Sequence, residues 1–380
     1  MRVLHINRNY ISTPLHQTMI DHLDTFEVEN IVFAPSEKEE VMRIPPKKNV
    51  IVSRCFSKYD RYIFDVKQHK IVKSILEAVD IDNIDIIHAY TLFTDGNCAM
   101  KLAKMYGIPY VVAIRNTDVN DFFRKIPFLR KRGIKIMKHA SAVFFLSQAY
   151  QDVVMSKYVP NKLRDELQKK SFIIPNGIDD FWFENAVPNS NGSHLERIKR
   201  QEINLLYAGR IDKNKNIPTT LKAVKLLQDK GWTIKLTIVG RIEEQDEFER
   251  IKQFPFVKYH PACGKEELIH YYRENDIFVM PSFTETFGLV YVEALSQGLP
   301  VIYTKGQGFD GQFPEGTVGY HVTPTESKDV AEKILKIAEN YMKISSNCNN
   351  GIKKYQWKMI SEEYLRIYRG IINDKMHVRQ

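Results

Sequence analysis

Short runs of apolar, largely β-branched residues recur along the chain with helix-length segments between them, and this alternation leaves few folds open. The first set is RVLHI (2–6), ENIVFA (29–34), NVIVS (49–53), DIIHAY (85–90), YVVAI (110–114) and AVFFLS (142–147). Segments such as HQTMIDHLDTF and DGNCAMKLAKMYG separate them, the second stopped by Gly107 with Pro109 just beyond. Strands alternating with helices in this way predict a parallel sheet covered by helices on both faces. The pattern breaks at NAVPNSNGSHLERIKR (185–200), which is polar, carries Pro and Gly, and reads as a linker. It restarts with INLLYAG (203–209), KLTIVG (235–240), VKYH (257–260), DIFVMPS (276–282) and LPVIYT (299–304). The expectation is two doubly wound α/β domains, 1–190 and 200–354, followed by a helical segment, 355–380, that begins YQWKMISEEYLRIYRGI. Ligands of open α/β sheets bind beyond the carboxyl ends of the strands, so a site is expected between two such domains.

Composition narrows the class. The 380 residues are 43% hydrophobic and 27% charged, which suits a protein with an ample core. No run of about 18 apolar residues occurs, so no membrane-spanning helix is expected. MRVLHINRNY reads as a strand already rather than as a leader. The cysteines, Cys55, Cys98, Cys263 and Cys348, lie far apart with no C-x-x-C, which reads as reduced thiols in a cytoplasmic protein. The formal net charge of +9 attracts anions. Nucleic acid is not the expected partner, because the basic residues are not interleaved with a recognisable reading module. A nicotinamide dehydrogenase is disfavoured as well, since the loop after the first strand, INRNYISTP, holds no G-x-G-x-x-G.

Two stretches carry the chemistry. In PSFTETFGLVYVEALSQGLPVIY (281–303), Glu285 and Glu293 stand among apolar, small or aromatic residues. DIFVMPS reads as a buried strand, FTET as the loop leaving it, and GLVYVEALSQG as a helix closed by Gly298. Glu285 then precedes a helix N-terminus and Glu293 lies within its first two turns. Amides at Phe287, Gly288 and Leu289 offer an anion site, and Gly288 admits a close backbone approach. Carboxylates accept hydrogen bonds from sugar hydroxyls while amides donate to phosphoryl oxygens. A solvated loop residue and a solvated helix position are the alternative reading of the two glutamates. The second stretch, YAGRIDKNKNIPTTLKAVKLL (207–227), leaves the first strand of the second half. Gly209 permits its turn, Arg210 and Lys215 stand on its loop, and Pro218 suits the first helical turn. The two cations suit a diphosphate clamp, and taken alone they read as a solvated basic loop.

GRIDKNKN resembles the G-R-x-x-x-x-K-N signature, and the segment from Glu285 to Glu293 the E-x7-E signature, of the retaining family 4 glycosyltransferases (glycosyl transferases group 1), which have the GT-B fold. IIPNGID (173–179) is similar to their P-N-G-[IV]-D turn, and KYQWKMISEEYLRIY to the terminal helix that crosses back to their first domain. The resemblance implies a Rossmann-like acceptor domain, a Rossmann-like nucleotide-sugar domain, and a hexosyltransferase using a nucleotide-diphosphate sugar, UDP being the commonest. It implies that Arg210 and Lys215 act on the donor diphosphate and that Glu285 binds sugar hydroxyls. The Thr286–Leu289 segment would meet sugar and phosphate, and Glu293 the ribose. It implies no bound metal, and a glycan or lipid-linked acceptor in surface polysaccharide or glycolipid synthesis. The implied location is the cytoplasm, with a peripheral place on the inner face of the cell membrane. A non-catalytic GT-B scaffold and a sugar-nucleotide epimerase of the same architecture are the alternatives.

The first half departs from that family. Its first loop, NRNYISTPLHQ (7–17), has no glycine where many members have a pair. Where many have H-G-x-D, this chain has Arg115-Asn116-Thr117-Asp118. Arg115 reads as a contact to an acidic acceptor or sugar, or as a salt-bridge partner of Asp118. Asp118 reads as a sugar or acceptor contact, or as a helix cap for NDFF. Asn7 and His16 are further candidates on the acceptor side, whereas His88 reads as a core histidine. Asp80-Ile-Asp82 matches D-x-D but lies between a helix and a strand, away from a strand's carboxyl end. The segment FFRKIPFLRKRGIKIMKHA (122–140) has seven Lys or Arg and no Asp or Glu. It fits a helix on an anionic membrane surface and equally a solvated basic helix with one face packed.

Overall fold

A computed structural model describes every residue of the chain except 40–44, 46, 48, 62, 188–191 and 379–380. The apolar runs pair into two sheets. The first holds β1 (Arg2–Ile6), β2 (Glu29–Glu37), β3 (Val50–Phe56), β4 (Ile86–Ala89), β5 (Tyr110–Ile114), β6 (Ala142–Phe145) and β7 (Ser171–Ile173), in the order β3-β2-β1-β4-β5-β6-β7. The second holds β8 (Glu202–Ala208), β9 (Thr233–Val239), β10 (Val257–His260), β11 (Ile277–Val279), β12 (Val301–Thr304) and β13 (Gly319–Val322), in the order β10-β9-β8-β11-β12-β13. Every recorded pairing is parallel. Strands β4, β5 and β6 are buried at every position, as helices on both faces require. Each sheet reverses its strand order once, between β1 and β4 in the first and between β8 and β11 in the second. Loops diverge at such points and leave a crevice beyond the strand ends.

The chain divides into two compact units, 1–146 with 150–177 and 357–380, and 147–149 with 178–356. The terminal helix, Trp357–Val378, thus belongs to the first. Its Trp357, Ile360, Tyr364, Leu365 and Tyr368, at helical spacing, join Val3, Met19, Tyr90 and Phe144 in that unit's core. Gly177 explains the close fit at the start of this helix: a Cβ there would lie 2.5 Å from the indole of Trp357. Gly107 ends the helix Thr94–Tyr106 in a left-handed conformation, φ 68°, with its N–H on Ala103 O at 2.8 Å.

Two expectations change. The polar stretch 185–200 is not simply a linker. Its residues 188–191 lie outside the described set, but Gly192–Lys199 is a helix. His194 and Arg197 converge on Asp276 Oδ1, at 2.7 and 2.8 Å, and Asp276 is fully buried at the head of β11. The partner lies 79 residues along the chain from Arg197, so local composition gave no sign of it. The second change is in the basic segment. Its α-helix is Arg130–His139, after a π-helical turn, Asp118–Phe123, and a 3-10 turn, Pro127–Leu129. Phe123, Leu129, Ile136 and Met137 are buried, so the helix packs one face into the first unit. Phe128 stays 80% exposed, and Arg132 pairs with Asp65.

Candidate active site

In the second unit, the strand-order reversal sets two loops side by side. One leaves β8 at Gly209; the other leaves β11 and runs through Glu285. Asn214 ties them together. Its side chain donates to Thr284 O at 2.9 Å and accepts from the Thr284 N–H at 3.1 Å and hydroxyl at 2.7 Å. Its backbone carbonyl accepts from Phe283 N at 2.8 Å. Asn216 does the same one step on, donating to Pro281 O at 2.9 Å and Pro324 O at 2.6 Å from a left-handed backbone, φ 55°. Lys215 stands between these two anchors.

The result is contact between two residues singled out in the sequence. Lys215 Nζ lies 2.6 Å from Glu285 Oε2, with side chains only 12% and 13% exposed. Arg210 is different: 57% exposed, its guanidinium is 3.4 Å from Asp212 Oδ2. Asp212 in turn accepts from Lys215 N at 3.0 Å, capping the 3-10 turn Lys213–Lys215. The Glu285 backbone is gripped from β12's loop, where Gln307 Oε1 accepts its N–H at 3.0 Å and Gly308 N donates to its carbonyl at 3.2 Å. A Cβ on Gly308 would sit 1.9 Å from Thr286 O, so this loop crossing requires glycine.

The helix Leu289–Ser296 begins at Gly288, whose φ is 81° and whose Cβ, if present, would strike the Tyr291 ring at 2.4 Å. Phe287 is buried, so its side chain anchors the turn while the Gly288 and Leu289 amides occupy the cap and first turn, where no preceding turn supplies acceptors. Glu293 lies on this helix and accepts a hydrogen bond from Tyr272 Oη at 3.1 Å. Burial raises its pKa from 4.5 to about 7; the Tyr272 hydroxyl opposes the rise and Asp179 adds to it. Asn214, Gln307 and Tyr272 escaped the sequence reading. Asparagines in a basic loop look like turn formers, and a tyrosine in YYREND looks like an ordinary helix residue.

In the first unit, Asn7 follows β1, Tyr90 follows β4 and Arg115 follows β5. Arg115 is buried, donating from Nε to Tyr90 O at 3.3 Å and from Nη1 to Asn176 Oδ1 at 2.9 Å. Asn7 Oδ1 accepts from Asn9 N at 3.0 Å, and His16 is buried with its ring edge-on to Tyr90 at 5.1 Å. Asp118 does not cap a helix with its side chain. It is buried, and its carboxylate accepts the N–H groups of Leu92 (3.0 Å), Phe93 (3.2 Å) and Arg115 (2.9 Å). These three bonds fix where the carboxylate stands, while Oδ1, with a single donor, keeps a lone pair. Burial still lifts its pKa to about 6. No ion pair joins its carboxylate to the Arg115 guanidinium, which goes to the carbonyl and amide instead. His88 is fully buried, stacked on Tyr90 at 4.2 Å with Nδ1 2.6 Å from Tyr368 Oη. Asp80 accepts from Asn83 Nδ2 at 2.6 Å beside its 3-10 turn.

Comparison with known proteins agrees with this architecture. The model for glycosyltransferase family 4 matches residues 17–180, and that for glycosyl transferases group 1 matches residues 195–355. An uncharacterized glycosyltransferase of Methanocaldococcus jannaschii is 22% identical over 361 residues, 93% of each chain. Sucrose-phosphate synthase from Thermosynechococcus elongatus superposes with a TM-score of 0.73 at 17% identity, covering 98% of this chain and 100% of that one. Anabaena HepE, solved in complex with UDP, gives 0.69 at 18% identity, covering 97% and 100%. The two family models between them reach both sheets, and the chain belongs to the family 4, group 1 glycosyltransferases with the GT-B fold.

Proposed function

We propose that this transferase moves a sugar from a nucleotide-diphosphate sugar, with UDP as the nucleotide, to a hydroxyl of a glycan or lipid-linked glycan, retaining the anomeric configuration. One observation carries the reading: Lys215, a cation suited to a diphosphate, meets Glu285, a carboxylate suited to sugar hydroxyls, beyond the carboxyl ends of β8 and β11. HepE, of the same fold, has been solved with UDP and with UDP-glucose, which supports a donor of that class.

In this reading Gly209 lets the chain turn beneath the donor, and Arg210 and Lys215 take the diphosphate charge without a bound metal. Glu285 orients the sugar, with Thr286 and the amides of Phe287, Gly288 and Leu289 beside sugar and phosphate. Glu293 accepts from the ribose hydroxyls. As the bond from the anomeric carbon to the phosphate oxygen breaks, negative charge grows on the leaving diphosphate and the two cations stabilise it. The acceptor oxygen bonds the anomeric carbon from the same face, and its proton passes to the leaving phosphate oxygen. Asn7, His16 and Arg115, at the strand ends of the first unit, form the acceptor side. The exposed Phe128 among Arg124, Lys125 and Lys131 supports contact with an anionic membrane surface that presents a lipid-linked acceptor. No helix among the described residues is long and apolar enough to cross a membrane.

Incubation with UDP-, GDP- and ADP-sugars, with and without glycan acceptors, tests the reading. Acceptor-dependent release of UDP is expected; failure to release nucleotide from any donor with any acceptor would remove it.

A further inference from the structure

We infer that the crevice between β1 and β4 in the first unit recognises an anionic group, carboxylate or phosphate, on the acceptor, and that Arg115 is the residue that selects for it. This deepens, and rests on, the reading of the chain as a glycosyltransferase whose acceptor lies on the first unit.

Arg115 is only 8% exposed, yet among the described residues no carboxylate oxygen comes within 4 Å of its guanidinium, and its recorded acceptors are the neutral Tyr90 carbonyl and Asn176 amide. Buried charges in folded proteins are ordinarily paired with an opposite charge. The carboxylate nearest in sequence, Asp118, feels the Arg115 charge without contacting the guanidinium and accepts three backbone N–H groups, one of them that of Arg115 itself. A guanidinium so placed keeps a positive field beyond the strand ends, and its planar fork matches a carboxylate or phosphate.

A second observation is independent of that charge. Asn7 Nδ2 and His16 Nδ1 are buried side-chain atoms without a hydrogen-bond partner, on residues 1% and 6% exposed. Because Asn7 Oδ1 accepts the Asn9 N–H, the orientation of the amide is set and Nδ2 is left as a donor. Asn7 directly follows β1 and Tyr90 directly follows β4, with Tyr90 N on Ile6 O at 3.2 Å. His16 packs edge-on to the same Tyr90 whose carbonyl receives Arg115. Burial and the Arg115 charge hold His16 near a pKa of about 3, so it is neutral at pH 7 and offers a hydrogen bond rather than a second charge. A buried cation and unused polar groups around one strand-order reversal suit an anionic oxygen better than a neutral hydroxyl.

The test is titration of the full chain with glucose, glucose 6-phosphate and glucuronate, followed by calorimetry or NMR, with inorganic phosphate as competitor. One or both acidic sugars are expected to bind at least tenfold more tightly than glucose, the phosphate and carboxylate arms telling which anion is preferred. In Arg115→Gln that ratio is expected to fall to about one. A purely structural arginine would weaken all three sugars alike and leave the ratio unchanged, which overturns the inference, as does a wild-type ratio near one. Should Arg115→Gln fail to fold, Arg115→Lys keeps the charge without the fork, and at least a threefold loss of the ratio is expected. An unchanged ratio there also overturns it. UDP titrated in parallel reports the second unit alone: absent UDP binding with the acidic preference intact would sink the donor assignment and not this one.

Discussion

Lys215 Nζ and Glu285 Oε2 are 2.6 Å apart, in side chains that are mostly shielded from water, on loops that leave adjacent strands 70 residues apart in sequence. The pair joins the two loops and joins the two chemistries assigned to them. Lys215→Met is expected to lower turnover by about two to three powers of ten, because a cation at the leaving diphosphate is lost. Its stability cost, about 2 kcal/mol, comes from removing the charged hydrogen bond to the Glu285 carboxylate. The double variant with Glu285→Gln should be destabilised by less than the sum of the single ones, by about 1 kcal/mol, in urea unfolding.

Asn216 is expected to position Lys215 rather than touch substrate. Asn216→Ala removes two donated hydrogen bonds and places alanine at a φ of 55°, at a cost of about 2–4 kcal/mol. Asn216→Gly should recover about 1 kcal/mol of this, the backbone part alone. Melting temperature separates the two, and steady-state kinetics should show a raised donor KM in both.

Glu293 links pH to both stability and binding. Its folded pKa, about 7, lies above the ordinary 4.5, so the folded state holds a proton that the unfolded chain releases between those values. Its contribution is complete below about 4.5 and lost as pH rises through about 7, amounting to up to about 3 kcal/mol. Glu293→Gln should therefore be more stable than the wild type at pH 8, with the difference shrinking toward pH 5, by urea unfolding. Donor binding should run the other way. UDP-glucose affinity is expected to rise several-fold from pH 6 to 8 in the wild type and to stay flat in the variant.

The fit of Gly177 against Trp357 predicts a loss of packing on either side. Trp357→Ala should cost about 3–5 kcal/mol, and Gly177→Ala should loosen the same contact by forcing the indole aside. Limited proteolysis should release the terminal helix faster in both variants.

Membrane contact is checked by flotation with liposomes containing anionic lipid. Association that weakens with salt and is reduced several-fold by Phe128→Ser is expected; absence of salt-sensitive flotation would remove the membrane from the proposed function.

Much of the fold was legible because its signals are local. Uniformly apolar strands, Gly107 after a helix, and apolar residues at helical spacing after Trp357 follow from burial and backbone geometry within a few residues. Lys215, Glu285 and Gly288 were legible as a group because each stands just past a strand in a recognisable motif. The helix Gly192–Lys199 was not legible, since its stabilising partner Asp276 is remote in sequence. The setting of Asp118 was not legible for the same reason: its carboxylate accepts amides from another loop as well as its own.

Residue order alone determined that two parallel sheets would form and that cations and carboxylates would stand at their strand ends. Chain folding alone decided which of those groups touch. Strand order brought β8 beside β11 and paired Lys215 with Glu285, while the buried Arg115 guanidinium hydrogen-bonds only to neutral acceptors. Periodicity and turn chemistry act over a few residues and can be read along the chain. Desolvation and charge pairing depend on neighbours far away in sequence, and only the packed structure supplies them.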